Sequence, residues 1–151
     1  MEIVDGKPYI EQVKTRLSEY VTALGRNLEF QDIEDEISNP AKKYTPPAGK
    51  LLVAYEKGTV LGMVAYHRIS DTRCEMKRLY VDPKYRGQHL GEKLVGEIIK
   101  LAKDAGYSEM VLDTLLPMKA AIEIYRKYGF EECEPYYNNP MDDVIYMRKT
   151  L

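Results

Sequence analysis

The sequence has few of the residues that a disulfide framework or a metal site needs. Its 151 residues include only two cysteines, Cys74 and Cys133, and two histidines, His67 and His89. The cysteines are far apart and in no paired spacing, which argues against a disulfide scaffold and against a zinc knuckle. Neither histidine has a potential metal-ligand partner at a workable spacing. We therefore expect no bound metal and a reducing, cytoplasmic environment.

Long apolar runs and an excess of charge of one sign are also missing. No apolar stretch approaches the ~18 residues of a membrane span, and the N-terminus carries acids where a signal peptide needs basic residues. With 22 basic and 24 acidic residues the formal net charge is −2, so no broad basic face is expected for a nucleic-acid backbone. Neither a membrane nor a nucleic acid is an expected partner.

What remains is the composition of one globular domain. Hydrophobic residues make up 44% of the chain and charged residues 30%, and this length can bury a core without disulfides or a metal. No repeat or long linker divides the sequence. We predict a single domain over residues 1–151.

Apolar periodicity gives the order of the elements. Three- and four-residue spacing predicts helices over residues 8–24, 31–38, 90–105 and 117–128. Apolar and β-branched runs predict strands over residues 51–55, 60–66, 74–81, 111–112 and 144–147, with one further strand possible near the C-terminus. This order predicts an α/β (α+β) domain with a mixed sheet and helices on both faces. A right-handed crossover should join Val81 to a parallel strand at Val111.

The most informative segment lies between Leu79 and Glu92. A strand ends in a turn, crosses the loop Arg86-Gly87-Gln88-His89-Leu90-Gly91 and opens directly into a long helix. Amides at a helix start have no intrahelical acceptor, and the helix dipole adds about half a positive charge there, so a pyrophosphate would fit. Neither a P-loop nor a Gly-x-Gly-x-x-Gly fingerprint occurs, which disfavours ATP and NAD.

In order and spacing, these residues resemble the GNAT superfamily of N-acetyltransferases, which binds acetyl-CoA and passes the acetyl group to an amine. The loop is similar to the superfamily's Arg/Gln-x-x-Gly-x-Gly/Ala pattern. Residues 121–130 resemble its second fingerprint, a helix that ends in Tyr-x-x-x-Gly-Phe. The resemblance covers about Cys74 to Phe130. It implies a single-domain GNAT-like fold with a mostly antiparallel sheet of about six or seven strands, and acetyl-CoA as co-substrate.

Two residues depart from the family pattern. His89 stands where the loop usually has its first glycine, and we expect its side chain to point outward with a φ that is not strongly positive. Met118 stands where many relatives carry an Asn that reaches the cofactor, so we expect that contact to be absent.

The resemblance implies that the cofactor is held by the strand end and the loop. Main-chain N–H groups near Leu79 and Val81 are expected to donate to the thioester oxygen, and Arg86 is expected to pair with a phosphate. The full expected set is Leu79, Tyr80, Val81, Arg86, Gly87, Gln88, His89, Leu90, Gly91, Glu92 and Met118.

Two residues are candidates for proton transfer. The family places a Tyr at position 125, so Tyr125 is the expected acid for the departing thiolate, with simple core packing as the alternative. Glu75 is a candidate general base if burial raises its pKa. A salt-bridged Glu75, with water as the base, is the alternative.

The acceptor is less well defined than the cofactor. Arg78, Tyr20 and Tyr136 are the expected substrate contacts, and the acidic run Asp32–Glu36 is interpreted as a solvated helix face. The leading hypothesis is an N-acetyltransferase acting on the primary amine of a small molecule. The alternatives are an enzyme that modifies a protein lysine or N-terminus, a non-catalytic acyl-CoA-binding or sensor module, and a structural domain. A homodimer is a further expectation.

Overall fold

The computed structural model describes residues 1–151 and contains five α-helices and seven β-strands. The helices are α1 (Ile10–Leu24), α2 (Ile33–Ser38), α3 (Pro40–Lys43), α4 (Leu90–Asp104) and α5 (Lys119–Lys127). The strands are β1 (Glu2–Asp5), β2 (Gly49–Glu56), β3 (Thr59–Arg68), β4 (Arg73–Val81), β5 (Glu109–Leu115), β6 (Glu131–Glu132) and β7 (Val144–Thr150). None of the helices combines the length and apolar character needed to cross a membrane.

All seven strands belong to one sheet in the order β1-β2-β3-β4-β5-β7-β6. Neighbouring strands are antiparallel except β4 and β5, which are parallel and connected through α4. The mixed, mostly antiparallel sheet is therefore confirmed, as is the parallel β4–β5 pair. The structure adds β1, an edge strand that the sequence analysis did not predict. With only Ile3 and Val4 between two acids, β1 is too short to show an alternating pattern.

The sheet separates two apolar layers. Side chains alternate between the faces of a strand, so Leu52 and Ala54 of β2 contact the layer that includes α4 and α5, whereas Leu51 and Val53 contact the layer that includes α1. Because β2 and β3 are covered on both faces, they appear in the sequence as continuous apolar runs.

Strands β4 and β5 separate part-way along their length. Their pairing covers only Arg73 to Glu75 on β4, and the rest of each strand continues without the other. In the same part of β4 a bulge places Arg78 and Leu79 opposite a single residue of β3, and Arg78 adopts a φ of 61°. The result is a cleft in the middle of the sheet.

Candidate active site

The loop between β4 and α4 presents a row of free backbone amides. The six N–H groups from Gly87 to Glu92 donate to no acceptor within the protein, and no side chain caps the start of α4. The Lys93 amide, which donates to the His89 carbonyl at 3.2 Å, is the first that the helix satisfies. A row of such donors at the start of a 15-residue helix is suited to binding an anion.

Two residues of this loop have left-handed backbone conformations. Gly87 has a φ of 87° and His89 a φ of 61°. The expectation that the φ of His89 is not strongly positive is therefore wrong. His89 turns the chain into α4 at the position where the family's loop pattern has a glycine, and His is one of the few side chains enriched in this region. Its side chain is exposed, as expected.

The loop forms one end of a groove of about 680 Å³ between the end of β4, α4 and α5. The expected cofactor residues that line it are Leu79, Tyr80, Val81, Arg86, Gly87, His89, Leu90, Gly91, Glu92 and Met118. Gln88 does not line the groove, because it lies exposed at the tip of the loop. The groove therefore brings together all but one of the expected set.

Arg86 is already oriented along the strand end. Its Nε donates to the Val81 carbonyl at 3.1 Å, and its guanidinium lies 5.8 Å from the centre of the Tyr80 ring. The two terminal nitrogens have no partner in the protein, so they remain free to meet a phosphate.

The separation of the strands also leaves main-chain donors of β4 without a partner strand. The Asp82 amide donates to the Leu61 carbonyl of the neighbouring strand β3 at 2.8 Å. Because amides alternate in direction along a strand, the N–H groups of Val81 and Leu79 are directed to the opposite side, where β5 no longer pairs with β4. These are the donors expected for the thioester oxygen.

Tyr125 lies at the inner end of the groove. It is on α5 and lines a smaller cavity of about 70 Å³ that shares Leu79 and Met118 with the groove. Its ring packs edge-on against Phe130, but its hydroxyl has no hydrogen-bond partner in the protein. Burial raises its pKa above the usual value, so the phenol keeps its proton at neutral pH. Tyr125 is thus both a packed ring and an available proton donor.

Glu75 occupies a different environment from the one its role as a base requires. It is 6% exposed and lines neither cavity. Its Oε1 lies 2.6 Å from Nε2 of His67, and its Oε2 accepts a hydrogen bond from the Tyr136 hydroxyl. Burial alone would raise its pKa, but these contacts and the charge of Lys77 outweigh it and lower the pKa to about 2. The expected rise in the pKa is therefore wrong.

Tyr136 therefore lies behind the cavity wall rather than on it, whereas Tyr20 lines both cavities. Neither the cluster around Glu75 nor any other brings three His, Cys, Asp or Glu side chains into an arrangement that could hold a metal ion.

Arg78 is held by an acidic partner. Its Nε and one terminal nitrogen donate to Glu36 at 2.7 and 3.0 Å, and both side chains are almost fully buried. The interpretation of the acidic run on α2 as a solvated face is therefore wrong for Glu36, which points inward. Arg78 lines the inner cavity, but a substrate carboxylate would have to compete with Glu36 for its guanidinium.

The sequence analysis missed a polar network on the other wall of this cavity. The Lys77 Nζ donates to Gln31 Oε1 at 3.3 Å, and Gln31 Nε2 donates to the Tyr137 hydroxyl at 3.0 Å. Oδ2 of Asp113 accepts hydrogen bonds from the Tyr137 hydroxyl and, at 2.8 Å, from Asn139. The available signal was Asp113 itself, because a charge that directly follows the apolar residues of β5 is partly buried there and needs polar partners.

Lys77 is the second buried cation of the site. Its side chain is 6% exposed and its Nζ lies 3.9 Å from Glu75 Oε1. Burial and the neighbouring charge of Arg78 lower the pKa of Lys77 to about 8. At neutral pH it therefore remains largely charged and balances Glu75.

Comparison with known proteins identifies the family. Residues 15–130 match the model of the acetyltransferase (GNAT) family. The chain belongs to the GNAT family of acetyltransferases. It is 48% identical over 141 residues to an uncharacterized N-acetyltransferase of Schizosaccharomyces pombe, covering 92% of this chain and 86% of that one. It is 35% identical over 111 residues to an IAA acetyltransferase of Azospirillum brasilense, covering 70% of each.

Solved structures show the same fold. An acetyltransferase from Streptococcus agalactiae superimposes with a TM-score of 0.79 and 27% identity over 99% of this chain and 98% of that one. An aminoglycoside 6′-N-acetyltransferase complexed with coenzyme A has a TM-score of 0.73 and 18% identity, over 99% and 97% of the two chains. The predicted GNAT fold and N-acetyltransferase family are thus confirmed.

Proposed function

We propose that this GNAT acetyltransferase transfers the acetyl group of acetyl-CoA to the primary amine of a small molecule. One observation carries the proposal. The free amides at the start of α4 and the amides of Leu79 and Val81, which β5 does not pair, lie along the groove, and Tyr125 lines the inner cavity that adjoins it. That is the order in which a diphosphate, a thioester carbonyl and a departing sulfur would need partners.

The groups along this groove can act in turn. The amides at the start of α4 bind the diphosphate of acetyl-CoA, and the amides of Leu79 and Val81 polarise the thioester carbonyl. The neutral amine nitrogen attacks that carbonyl, so that a C–N bond forms and the C–S bond breaks, and the nitrogen releases one proton. Tyr125 then donates its phenolic proton to the leaving sulfur.

The size of the inner cavity supports a small acceptor. Its volume of about 70 Å³ has room for roughly five water-sized groups, at roughly 10–15 Å³ each. An aminoalkyl end fits this space. The cavity is walled by Tyr20, Leu24 and Leu28 from the N-terminal part of the chain, which restricts the approach of a folded protein.

The proposal is tested by incubating the pure protein with acetyl-CoA and an amine library while free thiol and acetylated mass are recorded together. We expect stoichiometric thiol and N-acetyl product with at least one small amine. Acetylation of proteins or peptides alone would indicate a protein-modifying enzyme. Calorimetric binding of acetyl-CoA without turnover of any acceptor would favour the sensor alternative. The homodimer and the cytoplasmic location stay predictions.

A further inference from the structure

The charged groups around the inner cavity are paired, with one exception. Arg78 is bonded to Glu36, and Lys77 lies 3.9 Å from Glu75. Asp113 lines the same cavity and has no cation within salt-bridge distance. The charge of Lys77 acts on Asp113 only from beyond contact distance. A carboxylate that is partly removed from water and touches no cation is stabilised when a ligand supplies a positive charge in contact with it.

The free oxygen of Asp113 is the one that a ligand could reach. The Tyr137 hydroxyl and the Asn139 amide both donate to Oδ2, which leaves Oδ1 without a partner in the protein. Asp113 lies on β5 two residues beyond the last residue that pairs with β4. It therefore stands on the wall of the cleft facing β4 and shares the cavity with Tyr125.

Building on the proposed function, we propose that Asp113 binds the acceptor's ammonium group through Oδ1 and takes the proton that the nitrogen loses after it attacks the thioester. The substrate class is then a cationic primary amine. Asp113 replaces Glu75 as the carboxylate of the reaction, because Glu75 lines neither cavity and both of its oxygens are engaged.

The protons balance in this scheme. The bound ammonium first releases one proton to water, and the neutral nitrogen then attacks the carbonyl carbon to form the C–N bond. The nitrogen now carries a positive charge and passes one proton to Oδ1 of Asp113. The C–S bond breaks and the sulfur takes the phenolic proton of Tyr125. Transfer of the Asp113 proton to the Tyr125 phenolate restores both residues and leaves the acetamide and free CoA.

The polar network explains how Asp113 is held for this task. From Lys77 through Gln31 and Tyr137, every hydrogen bond is donated toward Asp113. This direction suits a carboxylate that carries its negative charge and fixes which oxygen faces the cavity. Tyr137 is therefore a positioning residue and does not itself contact the acceptor.

The test uses Asp113→Asn, which keeps the shape and the hydrogen-bond acceptor but removes the charge. Asp104→Asn, at the exposed end of α4, is the matched control. Each variant is assayed with an aliphatic amine, charged at pH 7, and with an arylamine or hydrazide that is neutral at this pH. For the charged amine, we expect Asp113→Asn to lower kcat/KM at least 100-fold. For the neutral amine, the fold-loss in kcat/KM should be at least ten times smaller. Binding of acetyl-CoA should be unchanged in both assays.

Tyr137→Phe provides the readout for positioning. It should raise KM for the charged amine about threefold to tenfold and leave the affinity for acetyl-CoA unchanged. Equal losses for both amines in Asp113→Asn, or values within twofold of the wild type, would overturn the proposal.

Calorimetry separates this proposal from the proposed function. An aliphatic diamine is titrated into the wild-type protein and Asp113→Asn, each saturated with CoA. If no amine is turned over, the proposed function fails, yet diamine binding that is lost only in Asp113→Asn still supports Asp113 as the ammonium site. Equal diamine binding to both proteins contradicts it.

Discussion

The two ends of the active-site groove are built in different ways. At the cofactor end the groups that would meet the ligand are mostly backbone amides, set by the turn at Gly87 and His89 and by the start of α4. At the acceptor end they are side chains brought from distant segments, including Gln31, Lys77 and Asp113. The first end depends on local chain conformation, and the second depends on tertiary packing.

The two ends should therefore differ in the substitutions that they tolerate. A backbone site survives side-chain changes that keep its conformation, as His89 shows by occupying a position where the pattern has glycine. A side-chain site depends on each charge finding its partner, because an uncompensated buried charge is costly. Substitutions should therefore cost most at the acceptor end and least in the loop.

The largest effect is expected from Glu36→Gln, which leaves the buried Arg78 guanidinium without its counter-charge. We expect a loss of about 3–5 kcal/mol in the free energy of unfolding, measured by urea denaturation. The double variant Glu36→Leu, Arg78→Met should recover most of this loss, because it removes both charges together. A loss below about 1 kcal/mol in the single variant would show that the pair is not buried in solution.

Glu75→Gln should lower the free energy of unfolding slightly less than Glu36→Gln does, and its effect should depend on pH. The folded state lowers the pKa of Glu75 to about 2 from a usual value near 4.5, so the contribution is present above pH ~4.5 and is lost as the pH falls toward 2. It amounts to about 3 kcal/mol at neutral pH. Denaturation curves of the wild type and Glu75→Gln should differ by this amount at pH 7 and converge near pH 2. A difference that stays constant with pH would contradict the ionic origin.

Tyr125→Phe tests whether Tyr125, which lies between the cofactor end and the acceptor end, acts as the general acid. Removing the phenolic proton donor should lower kcat about 100-fold, the lower range for general acid catalysis, while the affinity for acetyl-CoA is unchanged. Stopped-flow thiol release and calorimetry measure the two quantities. The neighbouring substitution Phe130→Leu is the control for ring packing. An unchanged kcat in Tyr125→Phe would assign Tyr125 to packing alone.

The smallest effect is expected in the loop. Gly87 has a φ of 87° with open space where a Cβ would lie, so Gly87→Ala meets backbone strain but no clash. We expect this strain to lower the free energy of unfolding by about 1–2 kcal/mol. The loss should be seen as a lower Tm and as roughly tenfold weaker binding of acetyl-CoA. His89→Gly is the matched comparison, because it relieves strain at the neighbouring left-handed position and should leave both values nearly unchanged. Equal losses in the two variants would show that side chains, and not conformation, set the loop.

The contrast between local conformation and tertiary packing also explains which features could be predicted from the sequence. Helices and central strands were predicted because their apolar periodicity is a local signal, and the cofactor loop because a glycine turn before a helix is local too. The edge strand β1 gave no such signal. The inward turn of Glu36 and the partners of Asp113 depend on residues more than 20 positions away. The low pKa of Glu75 depends on His67 of the neighbouring strand, on Lys77 and on the distant Tyr136. No periodicity encodes which long-range partner a charge will find.

The short contact between β4 and β5 has a mechanical consequence. With only three residue pairs joining them, the four strands before the cleft and the three after it form two half-sheets that meet along a brief seam. A ligand that binds in the cleft beyond the β4–β5 pairing contacts both half-sheets. Binding of acetyl-CoA in the cleft should therefore stabilise the association of the two half-sheets for as long as the ligand stays bound.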